Sequence, residues 1–572
     1  MRLVCALLTL FFAAGCAPQC TSSRPAPAIT SFSAELHTAD PVQVHVSVPH
    51  ALAKRAVVAR LFLERAGESG MTGYVAEMPV PANSFWRATE LHFVVPPYRG
   101  PGRYDLAVHL FGQGEAGDEP EVVGEVRYAD AVEIRGGLTV RWAGGVTDSV
   151  IASPTVVDVN GDGVLDVIVG TGLESWYGTT VALDGRDGSV LWRRDEADEM
   201  ISSPAVADLG GEDGTWLFNG GRAGRLVAIR SSDGATMWYH DFFRWVASPA
   251  VADMFGDGRL AVVATAGGST ERFQEGRLTV FDARTGDVRW SYMESIDGQE
   301  YYASPAVGDV TGNGFLDIVI GSGGERVPGA TILFEGNGVG FHRAWEAATE
   351  SKGVEASPLL VDTNGDGTYE VVTATMDGVV AALRGTDGAE RWRRAYPGFE
   401  FYPSPGAGDV DGDGRVTIVA AASRGAFPAY QAGLLVAIDA VTGEERWRLD
   451  IGDIAGGSPL LLDVTGDGRD EIVTTMGGYK QDARSPQSPS RLLILRGVDA
   501  QVIDVAEFPG LPVSTPVVVD MDGDGRLEVV TASLREPGVR RFETPFTAPA
   551  RSGWWKFRGN LANTGRLDIR QP

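Results

Sequence analysis

A chain of 572 residues is longer than one ordinary domain and can bury large cores. Its 49 Lys and Arg against 76 Asp and Glu leave a formal net charge of −27. No basic stripe offsets that charge, which excludes a nucleic-acid binder built on phosphate contacts. Glycine (74 residues) and proline (31) are abundant without low-complexity tracts, which predicts many tight turns between short strands.

The chain begins MRLVCALLTLFFAAGC, one Arg followed by an apolar run and small residues. The run is too short to span a membrane as a mature helix, and residues 1–15 read as a secretory signal. Ala13-Ala14-Gly15-Cys16 resembles a bacterial lipobox, with Ala13 where Leu is usual, and the resemblance implies lipidation of Cys16. A lipid there would tether the protein stably to a membrane. An ordinary cleavage nearby is the alternative. Ala17 after the cysteine, in place of Asp, implies the outer membrane, in a periplasmic or surface-facing orientation. Residues 16–29, rich in Pro, Ser and Thr, form a flexible tether. No cysteine follows Cys20, so the fold has no internal disulfide.

Residues 30–136 carry no repeat but alternate apolar and polar residues in short runs such as VQVHVSV and YDLAVHLF. That spacing predicts a small β-sandwich of immunoglobulin or fibronectin type.

From residue 137 the chain repeats itself. A Ser-Pro or Thr-Pro pair recurs at Pro154, Pro204, Pro249, Pro305, Pro358, Pro405, Pro459 and Pro516. Each is followed by a short apolar stretch and an Asp, an acidic Gly-rich loop, two apolar strands and a tryptophan strand. Gly188, Gly234, Gly286, Gly388 and Gly443 each stand four residues before Trp192, Trp238, Trp290, Trp392 and Trp447. Trp345 fills that slot in a looser copy, and Phe508 is expected to fill it in the seventh. Four strands per repeat of this length predict propeller blades. The eighth outer strand, LTVRW with Trp142, precedes the first Pro and is expected to close the ring. The fold class is therefore all-β: an eight-bladed β-propeller over residues 137–547, preceded by the sandwich. Residues 548–572 are expected to pack on the propeller.

The tryptophan-strand turns (LDGRDGSVLW, FDARTGDVRW, IDAVTGEERW) resemble the pyrroloquinoline-quinone-like (PQQ-like) propeller repeat, and the acidic loops resemble the FG-GAP repeat of integrin α-chain heads. The resemblance covers roughly residues 137 to 566. WWKFRGNLANTG, with Trp554, Trp555 and Asn563, resembles the terminal segment of bacterial proteins of this kind. Quinoprotein dehydrogenases place adjacent cysteines against their cofactor; this chain has none there, so no PQQ is expected.

The acidic loops carry the chemical signal. Repeat one, DVNGDGVLD, sets Asp158, Asn160, Asp162 and Asp166 at places one, three, five and nine. Calcium takes six to eight oxygens, which a short loop supplies from alternate side chains and a carbonyl, while glycine at place six permits the turn. Repeat four offers Asp309, Thr311, Asn313 and Asp317, and repeat five Asp362, Asn364, Asp366 and Glu370. Repeat seven offers Asp463, Thr465, Asp467 and Glu471, and repeat eight Asp520, Asp522, Asp524 and Glu528. Repeat six keeps Asp409, Asp411 and Asp413 but ends in Thr417, a weaker site. Repeats two and three have lost their sets, so five or six structural calcium ions (Ca2+) are expected. The competing reading is that Asp-Gly turns are simply hairpin turns.

No Ser-His-Asp order, zinc spacing or phosphate loop appears. Phe242, Phe243, Trp245, Tyr301, Tyr302, Phe401 and Tyr402 share one phase, in loops entering the innermost strands, and are expected to converge on one face. Aromatic rings there suit a sugar or peptide, or else pack between blades. The expected function is a non-catalytic, monomeric binding module for a polysaccharide or protein. The alternatives are an envelope-assembly scaffold of the outer-membrane-insertion type and a calcium-dependent polysaccharide lyase.

Overall fold

The computed structural model describes residues 27–32, 35–37, 42–53, 56–65, 76–81, 88–95, 102–112, 122–135, 137–146, 148–172, 177–211, 214–242, 245–267, 276–294, 300–425, 432–451, 454–477, 489–534, 538–547 and 553–567. The signal, Cys16 and residues 17–26 of the tether lie outside the described residues, as does Phe243, while Ala28 and Ile29, expected in the tether, belong to the first strand. No helix among the described residues is long and apolar enough to cross a membrane.

Two compact units emerge. The first is Met1–Ala34, Pro41–Pro96 and Arg103–Glu133; the second holds Ile134–Pro572 with two short N-terminal pieces. In the first, Ala28–Phe32, Val42–Val48 and Thr89–Val95 form one antiparallel sheet. A second sheet orders Val122–Arg135, Gly102–Gly112, Ala56–Arg65 and Ala76–Pro79. Alternation sorts the faces: Val44, Val46 and Val48 are fully buried while the alternate residues Gln43 and His45 are exposed.

In the second unit the described residues form eight successive antiparallel sheets. The first is typical: Thr155–Val157, Asp166–Thr171, Gly178–Leu183 and Val190–Glu196, from the innermost strand outward. The two middle strands are buried at every position and largely apolar, as strands covered on both faces require, whereas the outer strand alternates. Trp245–Val246 and Phe399–Glu400 add short strands to the third and sixth sheets. The last sheet takes its outer strand from the start of the unit: Thr139–Gly144 pairs with Gly538–Thr547, with Trp142 opposite Arg541.

The Ser-Pro pairs explain how neighbouring sheets are joined. Ser153 N donates to Ser203 Oγ, and Ser203 N to Ser248 Oγ. Ser304, Ser357, Ser404 and Ser458 form a second such run that ends at Thr515, whose N–H donates back to Ser153 Oγ. Each of these buried bonds is 2.8–3.1 Å long, and each satisfies a backbone donor that water cannot reach. The last link spans 362 residues of sequence and returns to the first sheet.

The Gly-Trp timing has an equally direct cause. The rings of Trp142, Trp192, Trp238, Trp345 and Trp392 lie on the turn glycines of the next sheets: a Cβ at Gly188 would come within 2.6 Å of Trp142, and one at Gly286 within 2.7 Å of Trp238. The indole N–H then donates to a carbonyl of that turn, as Trp142 to Gly185, Trp192 to Ser231 and Trp392 to Ala440. The seventh sheet departs from expectation. Its slot holds Asp504, not Phe508, since Asp504 faces Ile494 as Trp192 faces Ala182. Asp504 is buried and accepts from Gly137 N (2.8 Å) and Leu138 N (2.9 Å), just ahead of the closing strand. Phe508 packs against Phe542 instead. A carboxylate replaces the ring because the neighbour there is the entering chain with free amides.

Residues 553–567 lie along the innermost strands. Val206, Val251, Val307, Leu360, Leu461 and Val518 each stand two residues after a repeat proline. Their amides donate to the carbonyls of Leu561, Ala562, Thr564, Gly565, Trp554 and Trp555. Asn563 Nδ2 reaches the Ser203 and Pro249 carbonyls, and the Arg558 guanidinium reaches those of Pro305 and Pro358. The segment thus satisfies inner-strand donors in six of the eight sheets.

Candidate functional site

The topology gives the ring two chemically different ends: acidic loops leave the innermost strands at one, and aromatic loops enter them at the other.

At the acidic end, place one organises each loop. Asp158 Oδ1 accepts from Gly161 N (2.7 Å) and Asp162 N (3.2 Å), and Oδ2 accepts from Gly163 N (3.0 Å). Asp309, Asp362, Asp409, Asp463 and Asp520 cap their own loops in the same way. So does Asp253 in the third loop, which was expected to hold no ion. The carboxylates at place nine are buried and bind backbone. Asp166 accepts from Val159 N and Gly185 N, Asp317 from Val310 N and Gly336 N, and Glu528 from Met521 N. Glu370 and Glu471 likewise take loop amides at Thr363 and at Val464 and Thr465. Burial raises the Asp166 and Asp317 carboxyls above their usual range and pushes Glu471 and Glu528 up to about 7. In the sixth loop Thr417 holds place nine, and Asp470 of the next sheet accepts from Asp409 N in its stead.

Among the described residues, two loops bring three carboxylates together: Asp409, Asp411 and Asp413, and Asp520, Asp522 and Glu528. Both already hold a guanidinium. Arg446 donates to Asp411 at 2.7 Å, while Arg541 lies 2.6 Å from Asp522 and 3.4 Å from Glu528. Asp162 in the first loop pairs with Arg186, and Asp257 in the third with Arg259 and Arg289. The donor sets least committed to arginine are the fourth and seventh loops. There Asn313 Nδ2 turns to Glu335 and Asp467 caps Arg469 N. In the fifth, Asn364 and Asp366 bond within the loop, although Arg391 reaches Glu370 at 3.2 Å.

At the aromatic end the expected set divides. Phe242, Tyr301 and Phe401 are buried and belong to the core, Tyr301 donating to Glu294. They pack because the loop folds back over the sheet edge, so they offer nothing to a ligand. Trp245, Tyr302 and Tyr402 are half-buried and line the mouth. Trp245 and Tyr302, from adjacent loops, meet edge to face at 5.9 Å.

Around these rings stand glutamates that no motif marked. A Cβ at Gly324 would lie 3.6 Å from Tyr302 Cε2 and 3.7 Å from Glu355 Oε1, so ring and carboxyl border the same glycine. Tyr402 donates its hydroxyl to Glu325, and Lys352 donates to Glu400. Glu400 is buried, and its Oε2 has no hydrogen-bond partner among the described residues. Glu355 titrates near 8, raised first by burial and then by Glu325, Glu400 and Glu300. Further round, Arg222 covers Trp245 at 5.7 Å and pairs with buried Glu199 at 3.3 Å. His240 packs between Phe242 and Phe281, and burial lowers its pKa.

A family model described as outer membrane protein assembly factor BamB matches residues 177–327 and 376–476. These are blocks of the second unit, carrying the same Gly-Trp turns. The chain is a PQQ-like propeller-repeat protein. It is 24% identical over 243 residues to the outer membrane protein assembly factor BamB of Shewanella oneidensis. That stretch is 39% of this chain and spans about half (54%) of the relative's length. Among solved structures, the propeller-repeat chain is similar to a quinohemoprotein alcohol dehydrogenase, ADHIIG, from Pseudomonas putida HK5. The TM-score is 0.52 at 14% identity, covering 73% of this chain and 77% of that one. BamB from Moraxella catarrhalis aligns over 71% of this chain and 99% of its own, at 14% identity and a TM-score of 0.47. At these identities the dehydrogenase likeness speaks to fold alone.

Proposed function

We propose that this chain is an eight-bladed propeller with an N-terminal β-sandwich, held by a lipid on Cys16 at the bacterial outer membrane. It acts there, without catalysis, as a protein-binding scaffold for outer-membrane protein assembly. The observation that carries the reading is the match of two propeller blocks, residues 177–327 and 376–476, to the assembly-factor family. The eight sheets and the hydroxyl relay returning from Thr515 to Ser153 support the blade count. The committed state of His240 and Lys352, in ring packing and an ion pair, supports a binding rather than a catalytic role.

Affinity purification after crosslinking in envelopes tests the reading. Recovery of the β-barrel assembly machinery is expected; recovery of the chain without any of its members would overturn it. The same preparation with Cys16→Ser should release the protein from membranes, and continued attachment would refute the anchor.

Calcium belongs to the proposal as a structural ion, best supported in loops four, five and seven. Asp309 and Asn313, Asp362 and Asp366, and Asp463 and Asp467 would hold it. A bound ion would offset carboxylates that the fold already keeps close, and so raise stability by linkage. A chelator should therefore lower the melting temperature, and calcium titration should release heat. An unchanged melt together with a flat titration would leave the loops as self-capped turns.

A further inference from the structure

In the second unit each sheet leans on the next along its outer strand. The residues two and four places after the tryptophan slot share the ring's face of that strand and decide how the seam is filled. Two places on stand Arg194, His240, Tyr292, Arg394 and Leu449 in five of the sheets. Tyr292 meets Phe334 of the next sheet at 4.9 Å and His240 meets Phe281 at 5.0 Å, while Arg194 and Arg394 donate to the carbonyls of Gly234 and Gly443. Leu449 packs in the cluster that holds Leu495. Four places on, Phe242 meets Phe281 edge to face, Glu294 accepts from Arg343 at 2.8 Å, and Tyr396 donates its hydroxyl to Glu445 at 3.1 Å.

The seam between the fourth and fifth sheets departs from this pattern at three positions. The outer strand Phe341–Ala348 carries Ala347 two places after Trp345, and Thr349 follows at four. Across the seam stands Leu383, where the preceding sheets carry Phe334 and Phe281. What remains is a cleft of about 80 Å³, whereas one water needs only about 10–15 Å³. The other small residues two places on are covered. Ala506 is buried in one core cluster with Phe508 and Phe542, and Gly145, next to Gly144, rests directly on Leu183. Buried Thr331, Thr373 and Leu383 floor the cleft, and exposed Glu350, Glu390 and Arg393 stand at its rim with Asp377. Arg393 lies 3.4 Å from Glu350 and 3.9 Å from Glu390. Three carboxylates to one guanidinium make a rim that favours a positively charged ligand.

The following seam shows what such a gap holds. There Tyr396 spans to Glu445, which stands two places before Trp447. Glu390 has the same place before Trp392, but Thr349, in the position of Tyr396, turns its hydroxyl to Gly329. We propose that this cleft binds a tyrosine side chain presented by a basic segment of a partner protein, the ring seated on Ala347 and Leu383 and the phenol donating to Glu390. The inference rests on the reading of the chain as a protein-binding scaffold and names the chemistry of the partner.

The test uses the full chain and a fluorescent Gly-Lys-Tyr-Lys-Gly peptide, with phenylalanine or alanine replacing tyrosine in matched controls. Anisotropy should show saturable binding of the tyrosine peptide, about tenfold weaker binding of the phenylalanine one and none of the alanine one. Equal binding of the alanine peptide would reduce the effect to the overall acidity of the chain and overturn the site. Glu390→Ala should abolish the tenfold preference for tyrosine over phenylalanine. A preference that survives it would overturn the contact assigned to the hydroxyl. Thr349→Tyr supplies the ring from within, as Tyr396 does at the next seam, and should abolish binding without lowering the melting temperature. Undiminished binding in that folded variant would overturn the cleft. If Thr349→Tyr melts early, Ala347→Leu, after the pattern of Leu449, decides alone. Peptide binding without recovery of assembly proteins sinks only the scaffold reading. Recovery of those proteins with no peptide binding sinks only this one.

Discussion

At the turn before each tryptophan strand, one residue must adopt a left-handed backbone and accept a ring on its Cα. Gly286, with φ of 75°, does both beneath Trp238. Ala500 occupies the equivalent place in the seventh sheet with φ of 57°, where a Cβ is strained. Gly286→Ala should therefore cost about 1–3 kcal/mol, and Ala500→Gly should be neutral or stabilising by about 1 kcal/mol, read from urea unfolding midpoints. A second prediction concerns Glu355, whose folded carboxyl titrates near 8 against an ordinary value of 4.5. The folded state then holds a proton that the unfolded chain has released. Its stabilising contribution is complete below about pH 4.5 and is lost as pH rises through about 8. Wild type minus Glu355→Gln, compared by denaturant titration across that window, should fall with pH; a flat difference would place the carboxyl in ordinary solvent.

At the scale of strands and loops, the same carboxylate chemistry serves two ends. Place one caps the turn of its own acidic loop, and in the five loops that keep a carboxylate at place nine that group pins the turn to the sheet. Sequence spacing points to ligands at both places, yet the backbone claims these oxygens first because amides in a tight buried turn have no other acceptor. Asp504 shows the principle at the ring closure, where one carboxylate holds Gly137 and Leu138 in place of a tryptophan contact. Asp504→Ala leaves two amides unmet and should cost about 2–4 kcal/mol, with the loss felt first at the closing strand. Hydrogen exchange at Thr139–Gly144 measures this directly. Unchanged protection there would show that Trp142 and its packing suffice.

For the second unit as a whole, residues 553–567 act as a common strut. They join six innermost strands through amides two residues after the repeat prolines, and they bury Lys556 and Arg558, for which no carboxylate partner stands among the described residues. Burial brings Lys556 down to about 7, with Arg558 adding to the effect. Removing residues 553–572 should expose six inner-strand donors and the axis to water. We expect a melting temperature lower by about 5 °C or more and broadened unfolding, measured by calorimetry. An unchanged melt would mean that the strut covers strands already stable by themselves.

How much of this was legible beforehand depends on the range of the interaction. Sequence alone determined the repeat, its eight Ser-Pro or Thr-Pro pairs, the strand at Trp142 that completes the last sheet, and the acidic loops. All of these are local patterns whose period mirrors the strands. Only the tertiary structure decided which groups those residues meet. The Ser-Pro hydroxyls became links between sheets about fifty residues apart, the seventh tryptophan slot went to Asp504, and Phe242, Tyr301 and Phe401 went into the core. The glutamates of the mouth left no motif, because Glu325 and Tyr402 are 77 residues apart and nothing local ties them. A turn or a strand is encoded by neighbours in sequence; a site is encoded by neighbours in space, and the closing of the ring brings them together.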